Sequence, residues 1–188
     1  MKNSKINNTK IYFERTITES ASIDLLPCGE FLRVMDGNNA GASTAKQEMV
    51  SASAIRLIVE SYERSKPEGS DGKGYLDVVT TFASSPRFFG MRGATVVESG
   101  AFLKVVDPEN GEDTWLPAHS VEVIEEVYEP DPSAKGDNVR VVFAKGEPIS
   151  FMNALIKPFG SFVYIRRAAE GKASWYPASA IKSIQFIG

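Results

Sequence analysis

The sequence predicts a mainly β protein made of three tandem copies of one small unit of roughly 60 residues. Three observations support this prediction. Apolar, β-prone runs recur in the same order, the spacing between them is nearly constant, and polar Pro- and Gly-rich stretches separate the copies. The copies span residues 1–65, 75–131 and 138–188. They are called the first, middle and last segments.

A pair of apolar residues defines the spacing in each segment, with a Phe opening one run and an Ile or Val opening a later run. The pairs are Phe31 and Ile55, Phe102 and Val121, and Phe162 and Ile181. Their separation is 19 residues in the middle and last segments and 24 residues in the first. The stretch GNNAGAST at 37–44 supplies the extra length, so the first segment is predicted to have the longer hairpin.

Each segment is predicted to begin with a strand, because an apolar run precedes the Phe by 18 to 20 residues. These runs are 11–13, 78–82 and 139–143. The next element is predicted to differ between segments. Residues 147–156 carry Pro148 in a first helical turn, which predicts a short helix. The equivalent stretch 84–93 contains two glycines, which predicts a loop.

The second half of each segment is predicted to be a hairpin, a tight turn and a final strand. After the turn, Val121, Ile124 and Tyr128 also suit a helix, whereas Val121, Val123 and Glu125 suit a strand. We expect the strand. Polar stretches at 65–74 and 129–137 are interpreted as linkers.

This second half resembles the C-terminal half of an SH3-like barrel. The resemblance is carried in the middle and last segments by Phe102–Val105, Trp115, Pro117, Val121, Trp175, Pro177, Ala178 and Ile181. It implies three tandem SH3-like small β-barrel units with short helices or 3₁₀ turns. Peptide-binding SH3 domains carry a tyrosine in the turn after the proline, where this chain has Ala54, Ser120 and Ala180. The resemblance therefore does not imply a groove for polyproline peptides.

Cysteine usage and hydropathy bear on the cellular location. Cys28 is the only cysteine, which excludes an intramolecular disulfide and suits a reducing compartment. The N-terminal stretch 1–10 has no apolar core of the kind a secretion signal requires, and no later stretch approaches the length of a membrane span. We therefore expect a cytoplasmic protein that is neither exported by a standard signal nor inserted in a membrane.

No pattern in the sequence predicts catalysis. His119, the single histidine, is expected in a surface turn with no neighbouring nucleophile, and phosphate-binding glycine motifs are absent. Two groups of acidic residues are interpreted as solvated, one in a hairpin and one on a surface face. They are Asp107, Glu109, Glu112 and Asp113, and Glu122, Glu125, Glu126 and Glu129. We expect no catalytic residue, no cofactor and no metal site, and therefore not an enzyme.

Charge is distributed unevenly among the segments. Residues 1–74 carry 10 Lys+Arg and 10 Asp+Glu, residues 75–133 carry 3 and 11, and residues 134–188 carry 8 and 3. The three parts therefore have net charges of 0, −8 and +5. Such a charge asymmetry is informative about binding partners and association, and says little about the fold. Opposite charges could satisfy each other within the chain or between copies of it.

The last segment contains aromatic and cationic residues close together in sequence. The candidate binding residues are Arg166, Arg167, Lys172, Tyr164, Trp175 and Tyr176. On one face of a sheet they would suit single-stranded nucleic acid. Trp115 and Trp175 occupy the same position in two segments and are expected to be core residues, although an outward position would make them stacking residues.

Two functions are compatible with these patterns. The leading hypothesis is a non-catalytic binding or adaptor protein that presents a composite β-barrel surface to a protein assembly, with self-association between the acidic middle and basic last segments. The alternative is binding of single-stranded DNA or RNA through the last segment. Buried tryptophans and separated arginines would favour the first hypothesis.

Overall fold

The computed structural model describes residues 6–13, 17–20, 23–36, 47–62, 75–80, 88–92, 94–107 and 111–187. Within these ranges the regular structure consists of strands and short 3₁₀ turns, without an α-helix. The protein is therefore mainly β, as predicted. The linker predicted at 65–74, the insertion at 37–44 and the hairpin tip at 108–110 lie outside the described residues.

The strands follow the order of the three predicted segments. In the first segment they are β1 (Ile6–Phe13), β2 (Ile17–Ser20), β3 (Ile23–Cys28), β4 (Phe31–Asp36), β5 (Gln47–Ser51) and β6 (Ile55–Tyr62). In the middle segment they are β7 (Tyr75–Thr80), β8 (Phe88–Arg92), β9 (Thr95–Ser99), β10 (Phe102–Asp107), β11 (Glu112–Pro117) and β12 (Val121–Val127). In the last segment they are β13 (Asp137–Phe143), β14 (Ile149–Phe159), β15 (Phe162–Arg167), β16 (Lys172–Pro177) and β17 (Ile181–Phe186).

The same antiparallel pairings occur in all three segments. The first strand pairs with the last, in β1·β6, β7·β12 and β13·β17. Three further strands form a meander, in β3–β4–β5, β9–β10–β11 and β14–β15–β16. In the last segment β14 joins the two sets because it pairs with both β13 and β15. In the other two segments two shorter strands replace the single long strand. They are β2 and β3 in the first segment, and β8 and β9 in the middle segment.

Two local hydrogen-bonded turns also recur. A two-residue turn that begins with glycine precedes each Phe, and these glycines, at φ of 60°, 64° and 53°, are Gly29, Gly100 and Gly160. A 3₁₀ turn follows β5, β11 and β16 at Ala52–Ala54, Ala118–Ser120 and Ala178–Ala180. Its first N–H donates to the carbonyl before the Phe, at 2.9, 3.2 and 2.8 Å. The predicted sequence of tight turn and final strand is confirmed.

The strands assemble into three open sheets. Their strand orders are β2-β1-β6-β11-β10-β9, β17-β13-β14-β15-β16-β12-β7-β8 and β3-β4-β5. The last strand of one segment pairs with the third strand of the next segment's meander, as β6·β11 and β12·β16. These two pairings are called the junctions.

The chain forms two compact bodies, the first from residues 1–70 and 94–120 and the second from residues 71–93 and 121–188. The middle segment contributes to both, and the division into three units stays a prediction. The core of the first body contains Leu32, Ile55, Ile58, Phe102 and Trp115. The core of the second contains Val139, Val141, Phe151, Ala154, Val163 and Ile165.

The helix predicted at 147–156 is wrong, because strand β14 occupies Ile149–Phe159. Asn153 has φ of 55°, and the pairing of β13 with β14 shifts register between Asp137 and Val139. This bulge places the buried residues Phe151 and Ala154 three positions apart. A spacing of three is also typical of a helix, so the bulged strand had a helical pattern.

The loop predicted at 84–93 is wrong for the residues that the structure describes. Strand β8 covers Phe88–Arg92 and pairs with β7, with Gly90 opposite Asp77. Glycine weakens a strand without preventing it, so the pairing with β7 outweighs the local preference for a loop.

We predict that Gly171→Ala destabilises the protein more than Gly146→Ala. Both glycines have positive φ, 67° and 93°, which costs an L-residue about 1–2 kcal/mol. A Cβ at Gly171 would also clash with the Tyr128 carbonyl oxygen, whereas a Cβ at Gly146 would meet nothing within 4 Å. The clash should add at least about 1 kcal/mol, measured by urea unfolding. Equal losses would contradict the close approach at Gly171.

Candidate interaction surface

The structure divides the six candidate residues of the last segment between two faces of one sheet. Residues directly opposite each other on antiparallel strands share a face, and alternate residues along a strand point to opposite faces. Tyr164 is opposite Trp175, and Arg167 is opposite Lys172. One face therefore carries Tyr164, Arg166 and Trp175. The other carries Arg167, Lys172 and Tyr176.

Side chains on the first of these faces contact other residues of the second body. Trp175 is only 6% exposed, and its ring lies 4.6 Å from Tyr164 and 5.4 Å from Phe159. Arg166 Nε donates a 3.0 Å hydrogen bond to the Tyr128 hydroxyl, and the guanidinium lies 5.0 Å from the centre of that ring. The prediction that Trp115 and Trp175 are core residues is confirmed, since Trp115 is also 6% exposed.

The opposite face is directed largely at the core of the second body. The Tyr176 ring packs 5.1 Å from Phe143, and burial raises the pKa of its hydroxyl. Arg167 forms a 3.1 Å ion pair with Glu170 and lies 5.5 Å from the Phe151 ring. Lys172 is exposed. The six residues thus do not form a single aromatic and cationic surface.

A buried polar network lies at the β6·β11 junction in the first body. Glu60, 2% exposed, accepts hydrogen bonds of 2.8 Å from Trp115 Nε1 and from Lys104 Nζ. Lys104 also pairs with buried Asp113 at 3.0 Å and lies 4.7 Å from the centre of the Trp115 ring. The Lys104 ammonium group therefore contacts two buried carboxylates.

A second polar site lies at the β12·β16 junction in the second body. Glu126 corresponds to Glu60, since each lies five residues after the first residue of its strand. Burial raises the pKa of the Glu126 carboxyl, and Trp175, Tyr164 and Arg166 oppose that rise. Among the described residues, buried Trp175 Nε1 has no partner at hydrogen-bonding geometry, whereas Trp115 Nε1 lies 2.8 Å from Glu60. Burial also raises the pKa of the Tyr164 hydroxyl to about 12, so this hydroxyl stays protonated.

Two predictions about acidic residues are wrong at specific positions. Glu126 is half-buried, although Glu122, Glu125 and Glu129 are exposed as expected. In the hairpin, Asp107 and Asp113 are buried, because Asp113 lies beside Lys104 and Asp107 ends the central strand β10. The recurrence of a glutamate five residues into both junction strands was the sequence signal that could have identified Glu60 and Glu126.

His119 and Cys28, the other two residues considered for chemistry, lie in local structure that explains their environment. His119 lies exposed in its 3₁₀ turn, and partial desolvation lowers its pKa while a hydrogen bond with the Ile55 backbone raises it. Cys28 is partly buried, as expected, and its Sγ lies 3.6 Å from the Leu26 carbonyl oxygen. Among the described residues, no group of three His, Cys, Asp or Glu side chains could hold a metal ion.

The β3–β4–β5 sheet of the first body has an outward face that carries three exposed, large apolar side chains. Leu25, Leu32, Val34 and Val50 point to the core, so the alternate residues point outward. Of these outward residues, Leu26, Phe31 and Met49 are 47%, 46% and 49% exposed. Arg33 lies opposite both Leu26 and Met49 and is exposed as well. These four residues are called the outward face.

Comparisons with protein-family models, with curated proteins and with solved structures found no match. Within the described ranges, no helix has the length and hydropathy of a membrane-spanning segment.

We predict that Lys104→Met destabilises the protein by about 3–5 kcal/mol, because it removes the ammonium group that contacts both buried carboxylates, Glu60 and Asp113. Arg33 occupies the corresponding position of the first segment but is exposed. Arg33→Met is therefore the matched control, with an expected change within about 0.5 kcal/mol. Urea unfolding measures both. Equal effects of the two substitutions would show that Lys104 is not required to compensate the buried carboxylates.

We predict that Glu126→Gln gains stability relative to the wild type as the pH rises toward neutrality. The raised pKa means that the folded protein binds the Glu126 proton more tightly than the unfolded chain does. This contribution is fully present below the ordinary carboxyl pKa and is lost as the pH rises through the raised pKa. Glu126→Gln removes this loss.

Urea unfolding at a series of pH values would measure the difference between Glu126→Gln and the wild type. Glu122→Gln, an exposed change on the same strand, controls for the loss of one negative charge. If the two variants follow the same pH dependence, burial does not control the titration of Glu126.

Proposed function

We propose that the chain is a non-catalytic binding or adaptor protein that presents a composite β-surface to a protein assembly. In this proposal it consists of three tandem SH3-like units. The recurring pairings support such units. In an SH3-like barrel the first strand pairs with the last, and a three-stranded meander is followed by a 3₁₀ turn, and both features are present in the last segment. The continuous, bulged strand β14 joins both parts in the last segment.

The observation that carries the proposal is the outward face of the first body. It places three large apolar side chains in solvent on one side of one sheet, with a single arginine between them. Scattered exposed apolar residues are common on protein surfaces, but a contiguous group is typical of a protein-binding site. Apolar side chains together with arginine are the residues that anchor such interfaces.

The contacts in the last segment favour this function over binding of single-stranded nucleic acid. Stacking on bases requires accessible aromatic faces beside accessible cations. Trp175 is buried, while Arg166 and Arg167 lie on opposite faces of the sheet and contact Tyr128 and Glu170. A cytoplasmic location belongs to the same proposal, since Cys28 has no second cysteine with which to form an intramolecular disulfide.

We predict that the immobilised chain retains a stoichiometric protein partner from a native lysate of the source cells, and that Leu26→Ser combined with Phe31→Ser abolishes retention. Both side chains are about half exposed, so the folded protein should tolerate the change. Met152→Ser, which alters an exposed side chain of the second body, is the control and should retain the partner. The absence of any stoichiometric protein partner would contradict the proposal.

A second measurement tests the alternative function. Fluorescence anisotropy with a labelled single-stranded oligonucleotide at low salt should detect no complex. A complex that weakens steeply as salt is added would instead assign nucleic-acid binding to the chain, because phosphate contacts release counterions.

A further inference from the structure

We infer that the outward face and the outer edge of β5 bind strand β17 of a second copy of this chain, in head-to-tail contact. This inference deepens the proposed function, because it names one occupant of the same face. It rests on the two junctions within the chain. Among the described residues, β5 has the features of one side of such a junction and β17 has those of the other side, but the two strands are not paired.

The two junctions have the same register. Trp115 of β11 is opposite Ile58 of β6, and Trp175 of β16 is opposite Ile124 of β12. Each Trp lies three residues before its 3₁₀ turn, and each Ile lies three residues after the start of its strand. The junction is therefore one defined pairing that occurs twice. By the same spacing, Met49 of β5 and Ile184 of β17 are the corresponding pair.

The strands that would form the third junction lie at the ends of their sheets. β5 ends the order β3-β4-β5, and β17 ends the eight-stranded order. No strand among the described residues pairs with the outer edge of either. Exposed strand edges carry unpaired backbone groups and readily accept a strand of another chain.

Burial at equivalent positions shows the effect of the missing partner. Phe102 and Phe162 are fully buried, whereas Phe31 is 46% exposed. Met49, which corresponds to the buried tryptophans, is 49% exposed. On the other half of the junction, Ile58 and Ile124 are fully buried, but Ile184 is only partly buried. Both halves therefore expose the apolar residues that a junction covers.

The side chains of the third pairing are also compatible. Phe186 corresponds to Glu60, Met49 to Trp115 and Arg33 to Lys104. At the positions that form the polar network of the first junction, the third junction would therefore have a contact of Phe186 with Met49 and Arg33. Thioether sulfur and guanidinium groups both interact favourably with an aromatic ring. Phe186 is 67% exposed and is free to enter this contact.

Sedimentation velocity of the purified chain over a wide concentration range tests the inference. The wild type should self-associate as its concentration rises. Met49→Asp blocks the β5 side and Phe186→Asp blocks the β17 side, and each should weaken association by about tenfold or more because a charge replaces an apolar anchor. Met152→Asp, at an exposed position outside both edges, should associate as the wild type does.

Mixing the two blocked variants gives the decisive result. Met49→Asp retains a functional β17 and Phe186→Asp retains a functional β5, so an equimolar mixture should form one-to-one heterodimers. Heterodimer formation also shows that both variants are folded. A wild type that stays monomeric at every concentration overturns the inference, as does a mixture that forms no heterodimer while the wild type associates. Retention of a different protein in the lysate experiment would then still support the proposed adaptor function.

Discussion

The pairing of one segment's last strand with the third meander strand of the next segment is the interaction on which the rest of the structure depends. It occurs as β6·β11 in the first body and β12·β16 in the second. It satisfies backbone groups that would otherwise be exposed along two strand edges. It also makes one apolar surface continuous across the junction, so that Trp115, Ile58 and Phe102 join one core. This pairing also brings polar partners to buried Glu60 and to half-buried Glu126.

The hairpins and turns could be predicted from the sequence because their signals are local. A glycine before each Phe, a proline or serine before each 3₁₀ turn and alternating apolar residues are all readable within about ten residues. Strand β14 could not be predicted, since the bulge at Asn153 changed its apolar period. The junctions and the burial of Glu126 could not be predicted either, because edge pairing between distant strands has no local signature.

The opposite charges of the middle and last segments meet within the second body. Arg166, on β15, interacts electrostatically with Glu126 and Asp131, both from the acidic segment. Tyr128, also from that segment, accepts a hydrogen bond from the same arginine. Part of the charge asymmetry in the sequence is therefore satisfied inside the chain. The outward face of the first body, by contrast, depends on apolar contact rather than on net charge.

The two compact bodies are interleaved along the chain, and this order constrains how the protein folds during synthesis. The first body needs residues 94–120, which leave the ribosome after residues 71–93, and these belong to the second body. Strands β7 and β8 must therefore remain without β12 while the first body is completed. Early pairing with the wrong neighbour would compete with native assembly during that interval.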